Sequence, residues 1–173
     1  MSDRDFSTYD TCSLDEGSIP SLGTHRLLNF QTDVANVGAD DLRIGNPAAH
    51  PEWFTWGTCH HHWHVPLAAY DLIDAAGNVV ASGHKQGFCL IDSFLYDPSL
   101  ARRSRPKYDD CAHGQGISSG WADSYTAGLS GQWIVLDGVP AGTYWLRIIV
   151  NYLGVLPEQN YSNNTTTVQV TVA

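Results

Sequence analysis

Cys59-His60-His61-His62-Trp63-His64 packs four of the chain's eight histidines into six residues. Imidazole is the commonest protein metal ligand and carries protons near neutrality. His60, His62 and His64 recur at every second position. On an extended strand such residues share one face, about 6.6 Å from one to the next. The outer pair then stand roughly 13 Å apart at Cα, and a ring spans about half of that, so one ion above the middle residue can bond all three. His61 and Trp63 face the other way. Three neutral imidazoles suit copper, zinc, iron or nickel, and ligand type alone does not choose among them. His25, His50, His84 and His113 stand singly and read as surface or hydrogen-bonding residues.

Other residue types narrow the chemistry. The four cysteines, Cys12, Cys59, Cys89 and Cys111, form no C-x-x-C pair, which argues against a zinc knuckle. Their even number and wide spacing fit two disulfides and an oxidising compartment. The formal net charge is -9. Nucleic acid is therefore not an expected partner, because only Arg102, Arg103, Arg105 and Lys107 cluster positive charge. An acidic field favours cationic substrates such as protonated amines. Lysine is rare, with only Lys85 and Lys107. A protein that oxidises lysine side chains gains by carrying few of them.

The elements that must position these residues are strands. A chain of 173 residues suits one domain, here 1–173, and buries roughly 70% of its unfolded surface. No apolar run approaches the roughly 18–20 residues of a membrane span. Met1 to Asp5 shows no apolar signal region, so the chain reads as cytoplasmic or as trimmed of a leader; with two disulfides, secretion is expected. His25–Val37 alternates in part, and Val65–Ile73, Gln132–Leu136, Tyr144–Asn151 and Thr165–Val172 also read as strands, rich in β-branched and aromatic residues. Val168, Val170 and Val172 share one side of the last. Turn signals such as Ala76-Gly77-Asn78 and Asp137 to Gly142 separate them. No segment of ten residues has a helical period. The predicted class is all-β: an antiparallel β-sandwich with long functional loops and little helix. Ser93–Leu129, polar and glycine-rich, reads as one such loop. In the turn Glu158 to Asn164, carboxylate and amide oxygens suit calcium, or the asparagines satisfy backbone groups.

Several segments together resemble the lysyl oxidases. Trp56-Gly57-Thr58-Cys59-His60-His61-His62-Trp63-His64, followed by Tyr70-Asp71-Leu72-Ile73-Asp74, is similar to that family's copper-binding segment. Gly83-His84-Lys85-Gln86-Gly87-Phe88-Cys89-Leu90 resembles the segment of its cofactor lysine. Gly114 to Ser118, through Asp123-Ser124-Tyr125, resembles the segment of its cofactor tyrosine. Gln132-Trp133-Ile134 and Pro157 to Asn164 continue the match, which covers roughly residues 10 to 172. The resemblance implies copper held by His60, His62 and His64. It also implies a lysine tyrosylquinone built from Lys85 and Tyr125, and oxidation of primary amines or protein lysines by molecular oxygen. Asp123, two residues before Tyr125, is the candidate base. The resemblance further implies a Cys59–Cys111 disulfide, leaving Cys12 with Cys89, and calcium at Glu158, Asn160, Asn163 and Asn164.

The chain also departs from the family pattern. Ser18 stands where a partner for Cys12 would fall, Ile91 replaces a common acidic residue, and Asp92–Asp110 is a few residues longer. Two rival readings need neither Lys85 nor Tyr125. One is a secreted β-sandwich that binds copper or zinc without quinone chemistry. The other is a zinc hydrolase with a metal-activated water.

Overall fold

The computed structural model of the chain describes residues 1–7, 11–85, 87–112 and 114–173. Gln86, in the cofactor-lysine segment, and His113, one of the single histidines, lie outside the described residues. The elements run β1 (Ser2–Phe6), α1 (Thr11–Asp15), β2 (Gly23–Asn29), β3 (Thr32–Ala35), β4 (Leu42–Gly45), β5 (Thr55–Gly57), β6 (His62–His64) and β7 (Ala68–Ile73). They continue with β8 (Val79–Gly83), β9 (Phe94–Leu95), β10 (Gln115–Ile117), β11 (Trp121–Tyr125), β12 (Trp133–Val135), β13 (Gly142–Val150) and β14 (Thr165–Val172).

β7 and β13 form the centre of the largest sheet, ordered β14-β13-β7-β8. Their alternation sorts the faces. Ala68, Tyr70 and Leu72 of β7 and Tyr144, Leu146 and Ile148 of β13 are buried, and the residues between them are half-exposed. The register sets Tyr70 opposite Ile148 and Leu72 opposite Leu146, so one apolar face forms. Smaller antiparallel sheets cover it: β1-β2-β12, β3-β11-β9 and β10-β4. They contribute Leu28, Val34, Ile44, Ile117, Trp121 and Ile134 to the same core. Burying one face of each sheet is the logic of a sandwich, and the all-β expectation is met. No helix among the described residues is long and apolar enough to cross a membrane.

Three local expectations are corrected. His25–Val37 is not one strand; it breaks at Phe30 into β2 and β3, which join different sheets. Of the valines expected on one side of β14, Val172 is buried but Val168 is exposed, because β14 is an edge strand. Ser93–Leu129 is not a plain loop, since it supplies β9, β10 and β11, and Trp121, Ala122, Asp123 and Tyr125 are buried. Asp92, just before this segment, ties parts of it together. Asp92 accepts from the Lys107 and Ser118 amides at 2.8 and 2.7 Å. The basic run is neutralised too: Arg102 pairs with Asp40, and Arg103 and Lys107 pair with Asp41.

Gly83 ends β8 directly before the segment carrying Lys85. A Cβ there would sit 2.6 Å from the Trp133 carbonyl and 3.3 Å from the Tyr70 Cβ. The large sheet meets β12 at this point only because the side chain is absent. Gly83→Ala is therefore expected to destabilise the fold by about 1–3 kcal/mol. The urea midpoint against the parent measures it.

Candidate active site

The histidine segment is a hairpin rather than one long strand. β5 pairs with β6, with Gly57 opposite His62 and Thr55 opposite His64. His61 takes a left-handed backbone (φ 52°), and its amide donates to the Gly57 carbonyl at 2.8 Å. Only His62 and His64 therefore obey the two-residue spacing, while His60 lies in the turn. The turn still leaves neighbouring rings near one another. Centroids of His60 and His62 are 5.7 Å apart, and those of His62 and His64 are 6.3 Å apart. A Cβ on Gly57 would stand 2.9 Å from His64 Nδ1, so this glycine leaves the ring its space.

Each ring presents a different edge. His62 Nδ1 donates to the His60 carbonyl at 3.0 Å, which leaves the lone pair of a neutral ring on Nε2. His60 Nε2 lies 3.1 Å from Glu16 Oε1, which leaves its lone pair on Nδ1. His64 is buried, with Nδ1 unpartnered. Burial, then the charges of His62, His60 and Lys85, push its pKa down to about 4. It is thus a neutral donor at ordinary pH. The donor types fit a metal that prefers imidazole. Among the described residues, no three His, Cys, Asp or Glu side chains are gathered closely enough to hold one ion.

The disulfides correct the pairing that the resemblance implies. They are Cys12–Cys59 and Cys89–Cys111, each with Cα atoms 5.5 Å apart. Gln115, fully buried, explains the second. Its Nε2 donates to the carbonyls of Trp63 and Cys111, at 2.8 and 3.1 Å, and its Oε1 accepts from the Leu90 amide at 3.1 Å. Residues 89–90 are thereby drawn to residue 111, and both to the histidine hairpin.

Lys85 reaches the same place from the other side. Val65, next to His64, donates to the Phe88 carbonyl at 3.0 Å, which clamps the lysine segment to the hairpin. Lys85 Nζ donates to the Ser130 carbonyl at 3.0 Å and lies 5.5 Å from the Tyr125 ring centroid and 5.3 Å from that of Phe88. Burial lowers the pKa of the amine, against the attraction of Glu16 and Asp123. Tyr125 is buried, donates to the Cys89 carbonyl at 3.0 Å and meets Phe88 edge-on at 4.8 Å. Burial, then the Asp123 charge, hold its pKa well above the usual phenol value. Asp123 Oδ1 accepts from Ser93 Oγ at 2.9 Å, and Oδ2 has no partner. Burial pushes its pKa up to about 6.

One cavity of about 290 Å³ is lined by His60, His62, Lys85, Cys89, Asp123 and Tyr125. A second, of about 340 Å³, lies on the other side of Lys85 and takes in His64, Tyr70 and His84. Five of the six candidate site residues thus line one cavity, with His64 on its neighbour. The unpartnered buried polar side-chain atoms among the described residues are His64 Nδ1 and Asp123 Oδ2, and such atoms mark functional sites more often than chance. The family model for lysyl oxidase matches residues 7–173.

The chain belongs to the lysyl oxidase family. It is 40% identical to protein-lysine 6-oxidase of Gallus gallus over 141 residues, which is 80% of this chain and 32% of that protein. It is 40% identical to protein-lysine 6-oxidase of Sus scrofa over 144 residues, 81% of this chain and 55% of that protein. Lysyl oxidase homolog 2 of Mus musculus is 32% identical over 176 residues, 95% of this chain and 21% of that protein. The chain therefore spans between 21% and 55% of the length of these relatives.

Two of the candidate calcium oxygens in the turn at Glu158 to Asn164 already accept hydrogen bonds. Glu158 Oε1 accepts from Asn151 and Asn164, and Asn160 Oδ1 accepts from Ser162. A calcium ion there would have to displace these bonds. Sequence reasoning missed Glu16, Gln115 and Ser130. Glu16 lies four residues after Cys12, a signal that becomes legible only when Cys12 is known to meet Cys59. Ser130 acts through its carbonyl, which residue type does not reveal.

Asp123 and His64 titrate in opposite senses. From the carboxylate's ordinary 3.8 up to about 6, folded Asp123 holds its proton more tightly than the unfolded chain does, so its contribution to stability falls as pH rises. From about 4 up to the ordinary imidazole 6.5, folded His64 holds its proton less tightly, so its contribution rises with pH. Asp123→Asn removes the first effect and leaves the second. The metal-free variant is expected to exceed the parent in stability above pH 6 by about 1–3 kcal/mol. Its melting temperature should climb more steeply between pH 4 and 6.5. Calorimetry in chelator across that range checks both.

Proposed function

We propose that this chain is a lysyl oxidase-type catalytic domain. It oxidises primary amines, as free small molecules or as lysine side chains of other proteins, to aldehydes, with release of ammonia and hydrogen peroxide. The observation that carries the reading is the placement of Lys85 Nζ, 5.5 Å from the Tyr125 ring, in a cavity shared with His60, His62 and Asp123. Neither a copper- or zinc-binding β-sandwich without quinone chemistry nor a zinc hydrolase needs a half-buried lysine facing a buried tyrosine.

His60 through Nδ1, His62 through Nε2 and His64 would hold copper, and Lys85 and Tyr125 are the residues from which the lysine tyrosylquinone would form. Together those groups, when in place, supply the electron sink that an amine oxidation requires and that ordinary side chains lack. The remaining steps belong to the chain itself. Burial enlarges the fraction of Lys85 that is a neutral, nucleophilic amine. Phe88 packs edge-on against Tyr125 and fixes the plane of the phenol. Asp123, with its pKa near 6, is ionised at neutral pH and poised to accept a proton from the substrate's α-carbon on its unpartnered Oδ2. The net charge of -9 draws ammonium-bearing substrates toward the domain. Two disulfides suit an extracytoplasmic protein.

Copper loading in air followed by digestion and mass spectrometry tests the reading. A crosslinked Lys85–Tyr125 peptide is expected, together with peroxide release on adding a primary amine. Lys85→Arg and Tyr125→Phe should each abolish the crosslink and reduce peroxide to background. Separate, unmodified Lys85 and Tyr125 peptides under every copper condition would remove the catalyst and leave the quinone-free copper or zinc protein.

A further inference from the structure

Cys12 and Glu16 are four residues apart, and the Glu16 amide donates to the Cys12 carbonyl at 2.9 Å, continuing the turn of α1. Residues at i and i+4 on a helical turn project from the same side. On the hairpin, Cys59 and His60 are adjacent. The Cys12–Cys59 disulfide therefore sets Glu16 against His60. The contact is made: the carboxylate oxygens lie 3.1 and 3.3 Å from His60 Nε2. The Glu16 side chain is only 12% exposed, against 29% for His60, so the carboxylate lies inward of the ring it touches.

We propose that Glu16 is a positioning residue for His60, fixing its tautomer and the direction of its free nitrogen. This rests on the reading of His60 as a metal ligand. A carboxylate only accepts, so a neutral ring facing it carries its proton on Nε2 and its lone pair on Nδ1. A metal-binding histidine with its second nitrogen held by a carboxylate is better oriented and more basic, and loss of such a partner typically weakens metal binding about 10–100-fold. Neighbouring residues converge on the same ring. A Cβ at Gly87 would stand 3.4 Å from His60 Cδ2, so on that side the chain packs close without pressing on the ring. His62 Nδ1 takes the His60 backbone carbonyl, coupling the placement of the two rings.

The device explains an otherwise puzzling use of a disulfide. The Cys12–Cys59 bond lies outside the core cluster and fixes a five-residue helix at the protein's periphery. Its yield is one carboxylate delivered to one imidazole. Reduction of that bond would release Glu16 from the ring without touching the strands that carry His62 and His64.

Two measurements on the intact disulfide-bonded chain decide it. In metal-free protein, nitrogen NMR of the histidine rings should show His60 protonated at Nε2 in the parent and a mixture of tautomers in Glu16→Ala. Copper affinity, by competition with a chromogenic chelator, should fall about 10–100-fold in Glu16→Ala. Glu16→Gln, which keeps an acceptor oxygen, should recover part of that loss. The decisive comparison is a double-mutant cycle. In a His60→Ala background, Glu16→Ala should change copper affinity no further. If the two substitutions weaken binding independently, Glu16 acts through general folding and the proposal fails. An unchanged His60 tautomer in Glu16→Ala overturns it as well. A parent chain that binds no copper at all would sink the functional reading instead, and the ring tautomer would still decide the role of Glu16.

Discussion

The buried amide of Gln115 is the junction on which the site depends. It satisfies a backbone amide at Leu90 and two backbone carbonyls, at Cys111 and at Trp63 on β6. An unpaired backbone group in a dry interior costs as much as a lost hydrogen bond or more. These segments can be buried together only because one side chain has the right donors and acceptor at fixed spacing. The segments are the histidine hairpin, the stretch after Lys85 and the approach to β10. Fixing them to each other turns three distant pieces of sequence into one cavity wall.

Around that junction the protein keeps charge scarce and unbalanced. Asp123 and Tyr125 are buried and Lys85 is half-buried, and burial moves each against its charged form. The charges of Glu16 and Asp123 work the other way on Lys85, which retains part of its basicity, while the Asp123 charge adds to the effect of burial on Tyr125. The result is a lysine less protonated and a carboxylate less acidic than in water. Both changes bring proton transfer closer to neutral pH. Asp123 Oδ2 and His64 Nδ1 are the buried side-chain polar atoms left without partners among the described residues. A fold selected for stability alone would not leave them so.

Glycine serves this arrangement twice by absence. At Gly57 it gives the His64 ring its space, and at Gly131 a Cβ would press within 3.2 Å of the Lys85 Cα. The carbonyl one residue earlier, on Ser130, then takes the Lys85 ammonium. The backbone of a short exposed turn thus holds the lysine in place.

Much of this was legible in the sequence. The β-branched and aromatic content of Val65–Ile73 and Tyr144–Asn151 forecast the two central strands, β7 and β13, and the one face they bury gives them a period of two. The histidine spacing singled out His60, His62 and His64, although the strand expected for His60 is a turn. The resemblance named Lys85, Asp123 and Tyr125, which line one cavity with His60 and His62. Other features were decided only in three dimensions. The cysteine pairing, the burial of β10 and β11 within Ser93–Leu129 and the contact of Glu16 with His60 all depend on which segments lie side by side. Spacing along a chain reports local geometry, where each residue is held by its neighbours. It says little about partners 47 or 22 residues away, the separations the two disulfides span. There the choice falls to packing and to the need to satisfy every buried backbone group, and residue type reveals neither.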